Sequence, residues 1–273
     1  MQLRMVILIF LLAVYGHVGM AQTTSLNGLE TENEARVWTA IGRLDAGNSG
    51  FCSATLIAPD LVLTAAHCVY DKRAGTLMSA SDMIFRAGLR NGSAVAERVV
   101  AQIEAHPGYD PLSTITAQNV RHDVALLRLK DPIPTHVIDP FIIQSERVRL
   151  GAVSVVSYGR GRAELPSRQS LCNVTRAVQQ ILFMDCNVTF GSSGAPVFSH
   201  LNGRGRIVSV ISGMANIDGR MVSLGMELPE IVDALKRQMR ANAPRGAVAE
   251  VRRIDIGGGK AGSGAKFVKP GGS

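Results

Sequence analysis

The chain has 273 residues, 46% of them hydrophobic, which is enough apolar material for the core of one large domain or two small ones. Its formal net charge is +7, but the six basic and two acidic side chains after Pro244 place +4 of that excess in the last 30 residues. Eight glycines lie in the same stretch, so we expect a flexible, solvated basic tail over 244–273 and no nucleic-acid partner.

The first 21 residues are predicted to be a signal peptide. Arg4 supplies a positive charge, residues 5–14 are almost entirely apolar, and Gly19-Met20-Ala21 offers small residues before a cleavage point. A membrane anchor is the alternative, but the apolar stretch is short for a span and polar residues follow at once. We therefore expect a secreted or periplasmic protein that starts near Gln22 and keeps no stable membrane anchor.

Four cysteines, an even number in an exported chain, indicate two disulfides. The pattern alone allows three pairings. Joining neighbours would link Cys52 to Cys68 and Cys172 to Cys186, and each closed loop would contribute about 3 kcal/mol in the chain-entropy account. The chain has no Cys-x-x-Cys spacing, which argues against a zinc site, and we predict no metal and no cofactor.

The body of the chain predicts an all-β fold. Residues 22–36 are polar and lack periodicity, as in a propeptide or N-terminal arm. From Trp38 onward, short apolar segments alternate with turn residues, which favours a barrel or sandwich over a parallel α/β sheet. A proline-rich crossover is expected within about 131–150. The predicted strands are 38–44, 53–57, 61–64, 94–105, 123–129, 152–158, 170–178, 180–185, 195–199, 206–212 and 221–226.

The end of the folded part departs from this pattern and predicts a C-terminal α-helix packed on the barrel. Pro229 suits a first helical turn, and acidic residues precede basic ones in the sense that the helix dipole favours. Apolar residues recur at helical spacing at Leu228, Ile231, Val232, Leu235 and Met239.

The stretch Gly191-Ser192-Ser193-Gly194-Ala195-Pro196 could present the hydroxyl of Ser193 on a tight turn. Glycines permit unusual backbone angles and let a substrate carbonyl approach backbone N–H groups. Taken alone, the same composition is ordinary for a loop or linker. A serine hydroxyl is a weak nucleophile at neutral pH, so its use requires an imidazole to accept its proton and a carboxylate to orient that imidazole.

Two residues could supply these partners. His67 follows the apolar segment 61–66 and precedes Cys68, which would fix it at the end of a buried strand. Asp123 stands at the start of another predicted strand, where an acid has no packing role. Each has an alternative interpretation: His67 could be a core histidine with a satisfied ring, and Asp123 a strand-edge or turn residue.

Together, the three stretches resemble the chymotrypsin-like (trypsin-like) serine protease family, and more closely its bacterial secreted members. Residues 64–68 are similar to that family's histidine box, residues 123–127 to its aspartate box and residues 191–196 to its serine box. Their order along the chain also matches, whereas an α/β-hydrolase would have its serine first and its histidine last. The resemblance covers about 37–243, which would form the peptidase domain.

The resemblance implies two six-stranded antiparallel β-barrels with the site in the cleft between them. His67 would act as general base and then as general acid, Asp123 as the buried carboxylate, and Ser193 as the nucleophile of a secreted serine endopeptidase. The backbone N–H groups of Gly191 and Ser193 would form the oxyanion hole. Protein or peptide substrates are the implied partners, and a monomer is expected. A disulfide like Cys172–Cys186 occurs in some bacterial relatives. Cys52 and Cys68 lie before and after the segment that leads to His67, as the resemblance also implies.

Two departures from the family pattern concern activation and specificity. Animal digestive members carry an aspartate immediately before the nucleophile, which pairs with a freed N-terminus; here Ser192 is uncharged, which makes that activation doubtful. Asn187 stands six residues before Ser193, where trypsin has its pocket aspartate, so strict preference for Arg or Lys is not supported. With Ser212 and Gly213 as further pocket residues, we predict a neutral or small P1 residue. The alternative function is a non-catalytic or weakly active binding protein on the same fold.

Overall fold

The computed structural model describes residues 23–47, 50–148, 150–200 and 205–243. The predicted signal peptide at 1–21 and the predicted basic tail at 244–273 lie outside these residues. Within the described ranges, no helix is long and apolar enough to cross a membrane.

The first half of the chain forms a closed antiparallel barrel. The described part of this half contains the strands β1 (Leu26–Gly28), β2 (Ile41–Ala46), β3 (Phe51–Ala58), β4 (Leu61–Thr64), β5 (Tyr70–Asp71), β6 (Thr76–Leu77), β7 (Met83–Ala87), β8 (Ala96–Ala105) and β9 (Ala125–Leu129). Strand β1 lies outside the barrel. The barrel closes in the order β2-β3-β4-β9-β8-β7, with β7 pairing back onto β2, while β5 and β6 form a separate hairpin. Side chains alternate between the inside and the outside of the barrel: in β7, Met83, Phe85 and Ala87 are buried and the residues between them are partly exposed.

The second half forms the other barrel. Its strands are β10 (Gly151–Gly159), β11 (Arg162–Val178), β12 (Ile181–Met184), β13 (Pro196–Ser199), β14 (Arg206–Ile217) and β15 (Arg220–Met226). They run in the order β11-β10-β13-β14-β15-β12, and pairing of β12 with β11 closes the ring. The prediction of two six-stranded antiparallel barrels is therefore confirmed. Strands β9 and β10 are joined by residues 130–150, the region predicted as the crossover.

The N-terminal segment is part of the second barrel's sheet. Strand β1 pairs antiparallel with β11, with Asn27 opposite Arg168. A short helix follows, α1 (Glu32–Ala35), whose N-cap Thr31 and Glu34 form a reciprocal capping box. Residues 22–36 were predicted as a propeptide or arm because they lack periodicity, and a three-residue strand is too short to produce any.

Two further helices lie at functionally relevant positions: α2 (Ala117–His122) directly precedes Asp123, and α3 (Pro229–Ala241) is the predicted C-terminal helix. Helix α3 packs on β8 and β9 of the first barrel and buries Val232, Leu235 and Met239. The buried Glu104 of β8 accepts hydrogen bonds from the side chains of Gln238 and Asn242 at the end of α3. The helix is thus fixed by both apolar packing and a buried carboxylate.

Two sequence predictions about the first barrel were wrong in detail. Residues 38–40 of the predicted strand 38–44 are not in a strand, because Arg36–Trp38 forms a 3-10 helix and β2 begins only at Ile41. This turn lets the Trp38 ring pack 5.8 Å from Phe141 and 5.4 Å from Phe198, which joins the N-terminal segment, the inter-barrel connection and β13. Strand β7 was missed because the apolar Ile84 lies on its partly exposed face, so its five residues show no regular alternation of apolar and polar side chains.

Candidate active site

His67 is fixed at the rim of the first barrel by its local sequence. Strand β4 ends at Thr64, and the chain then enters a 3-10 helix, Ala66–Val69, that contains His67. The disulfide Cys52–Cys68 ties this turn to β3, and Cys172–Cys186 is the second bond, so both predicted disulfides are present. The imidazole retains 14% of its exposure, which leaves part of the ring open to the cleft.

Asp123 lies at the end of α2 and is almost fully buried, with 3% exposure. Its Oδ2 is 2.7 Å from Nδ1 of His67, and its Oδ1 accepts the backbone N–H of His67 at 2.8 Å. The hydroxyl of Ser212 donates a third hydrogen bond, at 2.6 Å to Oδ2. A carboxylate held by these donors fixes the proton of His67 on Nδ1 and leaves Nε2 free to accept one.

Sequence reasoning did not find the bond between Ser212 and Asp123. Ser212 had been predicted as a pocket residue only, and the two residues are 89 positions apart in the chain. A serine in a strand carries no local signal that its hydroxyl will meet a distant carboxylate.

Ser193 lies on a turn that only glycines permit. Gly191 and Gly194 have φ angles of +92° and +74°, in the left-handed region. A Cβ at Gly194 would also come within 2.2 Å of Thr64 Oγ1 and 2.4 Å of the backbone oxygen of Ser53. The serine loop of the second barrel therefore packs directly on the β3–β4 region of the first.

Ser53 of β3 is the main polar link between this loop and the first barrel. Its N–H donates to the backbone oxygen of Ser193 at 2.9 Å, and its hydroxyl donates to the backbone oxygen of Gly191 at 2.9 Å. The same hydroxyl accepts the N–H of Tyr158 at 2.9 Å. Because Ser53 is fully buried, these bonds are shielded from water and fix Ser193 relative to His67.

His67 and Ser193 face a cleft with two lobes that share Lys72 and Phe190 at their boundary. The smaller lobe, of about 380 Å³, we call the β14 lobe, and the larger, of about 700 Å³, the basic lobe. The β14 lobe is lined beyond the shared residues mainly by Tyr109, Ile115, Val188, Thr189, Ile211, Ser212, Gly213 and Met214. The basic lobe includes Phe51, Asp71, Arg73, Arg160 and Gly191.

The structure brings together most, but not all, of the predicted pocket residues. Ser212 and Gly213 line the β14 lobe, whereas Asn187 is exposed and does not line it. The backbone N–H of Asn187 donates to the side-chain oxygen of Gln169 at 2.7 Å, next to the disulfide of Cys186. Asn187 is therefore held on strand β11, and the lining of the lobe begins one residue later, at Val188.

The backbone N–H groups of Gly191 and Ser193 have no hydrogen-bond partner among the residues the structure describes. The N–H between them, that of Ser192, donates to the backbone oxygen of Thr189 at 2.9 Å, which closes the turn. Two free N–H groups beside the Ser193 hydroxyl are suited to receive a negatively charged oxygen.

A pair of histidines packs behind the Asp123 side of the cleft. The rings of His106 and His122 stack at 4.3 Å, and Nδ1 of His122 donates to the backbone oxygen of Gly108. Burial, and then the neighbouring His122, lower the pKa of His106 below its usual 6.5. Nδ1 of His106 accepts the N–H of Gly108 at 3.0 Å, a bond that also requires the neutral ring.

This pair predicts an acid-sensitive contribution to stability. The folded state keeps His106 neutral while the unfolded chain takes up a proton near pH 6.5, so the free energy of unfolding falls as pH drops through that value toward the lowered pKa. His106→Asn retains an acceptor for the Gly108 N–H and cannot be protonated. The difference in free energy of unfolding between the unmodified chain and this variant, measured in urea, should therefore become smaller as the pH falls from 7.5 to about 5. A constant difference would contradict the assignment.

Two close groups of residues carry atoms of the kind that bind metals. Within the described ranges, both close groups of candidate ligands contain a disulfide, Cys52–Cys68 beside His67 and Cys172–Cys186 beside Asp185. A disulfide sulfur has no thiolate to offer a metal.

The two closed barrels, with a histidine, an aspartate and a glycine-flanked serine along one cleft, define a chymotrypsin-like architecture. The profile of the trypsin-like peptidase domain matches residues 25–208. The chain belongs to the trypsin-like peptidase family.

Among curated proteins, the chain is 35% identical over 117 residues to serine protease SP24D of Anopheles gambiae, covering 42% of this chain and 39% of that one. It is 31% identical to trypsin of Sarcophaga bullata, covering 40% and 38%, and 27% identical to human kallikrein-11, covering 60% and 54%. The chain thus spans about two fifths to one half of the length of these relatives. A solved structure of a Glu endopeptidase superposes with a TM-score of 0.65 at 17% identity, over 80% of this chain and 98% of that one.

Proposed function

We propose that the protein is a secreted serine endopeptidase that cleaves peptide bonds through an acyl-enzyme, with His67, Asp123 and Ser193 as its catalytic triad. The observation that carries the proposal is the hydrogen-bonded pair of His67 and Asp123 on the same cleft as a serine flanked by two free N–H groups. The two disulfides support an oxidising compartment, secreted or periplasmic.

In this mechanism, Nε2 of His67 takes the proton of the Ser193 hydroxyl as Oγ attacks the substrate carbonyl carbon. The carbonyl oxygen becomes an oxyanion, which the N–H groups of Gly191 and Ser193 stabilise; losing one such donor costs about 2.7–4 kcal/mol. Asp123 stabilises the imidazolium that forms. The imidazolium then protonates the leaving amine, and a water molecule, deprotonated by the same ring, hydrolyses the ester to Ser193.

The side chain before the cleaved bond is proposed to enter the β14 lobe. Near Ser212 and Gly213, this lobe is lined by uncharged residues such as Val188, Thr189 and Met214. Of the charged residues that line the lobe, Asp123 is already bonded to His67 and Ser212. Lys72 lies at the boundary with the basic lobe. A charged side chain would therefore lose hydration near Ser212 and Gly213 without gaining a nearby partner of opposite charge. We therefore keep a neutral or small P1 residue as the proposed preference.

A serine-directed phosphonate tests the function directly. The secreted chain should form one covalent adduct, which mass spectrometry maps to Ser193, because the activated Oγ attacks phosphorus as it would a carbonyl. Ser193→Ala should abolish labelling, while Ser145→Ala, at an exposed serine outside the cleft, should not change it. Absence of labelling in the unmodified chain would favour the alternative, a non-catalytic binding protein.

The basic lobe predicts a preference for acidic residues after the cleaved bond. Lys72, Arg73 and Arg160 line it, against only Asp71, whose carboxylate already accepts the backbone N–H groups of residues 73 and 74. Stacking at 4.3 Å on the Phe190 ring positions the guanidinium of Arg160. Exposed ion pairs are weak, so the gain in kcat/KM for Glu over Gln at the second position after the bond should be about two- to fivefold.

Paired peptides check this preference. The advantage of the Glu peptide should fall as NaCl rises from about 0.05 to 0.5 M, because salt screens exposed charges. Arg160→Gln should reduce the Glu advantage without affecting the Gln peptide, and Arg220→Gln, at an exposed site outside the lobe, should leave both unchanged. Equal rates for Glu and Gln peptides at low salt would refute the prediction.

A further inference from the structure

Arg162 is a partly buried arginine directly behind the serine loop. It is the first residue of β11, and its guanidinium donates to the backbone oxygen of Ser157, to Ser157 Oγ at 2.9 Å and to Ser192 Oγ at 3.1 Å. No carboxylate in the described part of the chain pairs with it. Burial lowers its pKa to about 10. A cation in such a place costs free energy, which is a reason to look for what it does.

The residue that Arg162 contacts, Ser192, is fully buried and saturated with hydrogen bonds. Its hydroxyl accepts from Arg162 and from the Thr189 N–H at 3.2 Å, and lies 3.2 Å from the backbone oxygen of Tyr158, to which it donates. The Ser157 hydroxyl is a further neighbour, with its Oγ 3.2 Å from Ser192 Oγ. One hydroxyl has one proton and two lone pairs, so the surrounding groups fill its whole capacity. The side chain of Ser192 is therefore locked in one position against β10.

The locked side chain sets the orientation of the loop above it. Ser192 lies between Gly191 and Ser193, and its peptide bond to Ser193 carries one of the two free N–H groups of the cleft. Rotation of that peptide would pull the Ser192 hydroxyl away from Arg162 and Thr189. The buried network and the direction of the N–H groups are thus coupled.

The neighbouring chain is shaped to admit the guanidinium. A Cβ on Gly159 would lie 2.7 Å from Nη2 of Arg162 and 2.8 Å from Cγ2 of Thr189. Glycine is the only residue that leaves room for both, so the slot behind the loop depends on the sequence of the β10–β11 turn as well as on Arg162 itself.

We propose that Arg162 is a positioning residue that holds Ser192, and through it the N–H groups of Gly191 and Ser193, in the orientation that receives the oxyanion. Because this cation comes from within the chain, the oxyanion geometry does not depend on a free amino terminus inserted beneath the loop. The inference rests on the proposed endopeptidase function and extends it to the regulation of the same site.

The first test is Arg162→Ala, assayed on a peptide substrate. Loss of the support should lower kcat by about 10- to 100-fold, less than removal of an oxyanion donor outright, with KM changed less than threefold. Millimolar guanidinium should restore part of the lost kcat in a saturable way, whereas equal NaCl should not, a result that a general loss of packing would not give. Arg220→Ala is the matched control at an exposed site. Unchanged kcat in a folded Arg162→Ala protein would overturn the inference.

Two further measurements decide the case if Arg162→Ala does not fold. Arg162→Lys keeps the charge but lacks the planar guanidinium that contacts Ser157 and Ser192 together. A kcat between those of the unmodified chain and Arg162→Ala is expected, at unchanged KM, and full activity would overturn the inference. A secreted form with Gly-Ser added before its amino terminus should keep the kcat of the native form, and a loss above tenfold would overturn it. Failure of the unmodified chain to react with phosphonate would instead refute the proposed function.

Discussion

Replacement of Ser193 by alanine is expected to lower kcat for peptide hydrolysis by about a millionfold, with KM nearly unchanged. The substitution removes the oxygen that is proposed to form the acyl-enzyme, while the cleft should keep its shape and still bind the substrate. Fold should be preserved, because Ser193 contributes its backbone oxygen, rather than its hydroxyl, to the bond from Ser53. Steady-state kinetics on a peptide selected from a library would measure the loss.

The control is Ser145→Ala, which should retain full kcat and KM. Thermal unfolding of both variants should match the unmodified chain to within the effect of a surface substitution, about 0.5 kcal/mol. Residual hydrolysis by Ser193→Ala above about one thousandth of the native rate would show that another group is the nucleophile.

Asp123→Asn is expected to lower kcat by about ten thousandfold. One oxygen of the aspartate accepts both the Nδ1 proton of His67 and the Ser212 hydroxyl, at 2.7 and 2.6 Å, and the other accepts the His67 N–H. Asparagine has a single acceptor oxygen. If that oxygen stays on the His67 N–H, its amide NH₂ faces the ring and favours the tautomer that carries the proton on Nε2, which cannot accept the proton of Ser193.

A control variant and a labelling rate distinguish a changed tautomer of His67 from a damaged fold as the cause of the lower kcat. Asp233→Asn, a matched change on the exposed face of α3, should leave kcat unchanged. The rate of phosphonate labelling of Asp123→Asn should fall with kcat, since both reactions need the same proton transfer. If Asp123→Asn loses less than about tenfold in kcat, Asp123 does not orient the base.

Much of the fold and the site could be predicted from short local patterns. Each cysteine pairs with the next cysteine along the chain, as predicted. The helical spacing of apolar residues from Leu228 to Met239 predicted the C-terminal helix. His67, Asp123 and Ser193 were predicted as one site from three short motifs in the order of one family, and the structure places all three along one cleft.

The parts that could not be predicted depend on contacts between distant residues. Ser212 donates a hydrogen bond to Asp123, 89 residues away in the sequence, and Arg162 donates one to Ser192, 30 residues away. The residues around a serine or an arginine contain no pattern that predicts such a distant partner. Asn187 was placed in the pocket by counting back from Ser193, but its backbone bond to Gln169 shows that the path of the chain, and not the count, determines what lines the lobe.

Ser53 restrains motion between the two barrels. Its backbone and hydroxyl form three hydrogen bonds to Ser193, Gly191 and Tyr158, and a hinge motion between the barrels would break them together, at a net cost of about 2–4 kcal/mol. These bonds favour a cleft of fixed shape over one that opens and closes by a hinge between the barrels. For the proposed endopeptidase, a groove of fixed shape is expected to favour substrate chains that are already extended, such as exposed loops and unfolded segments, over compact surfaces.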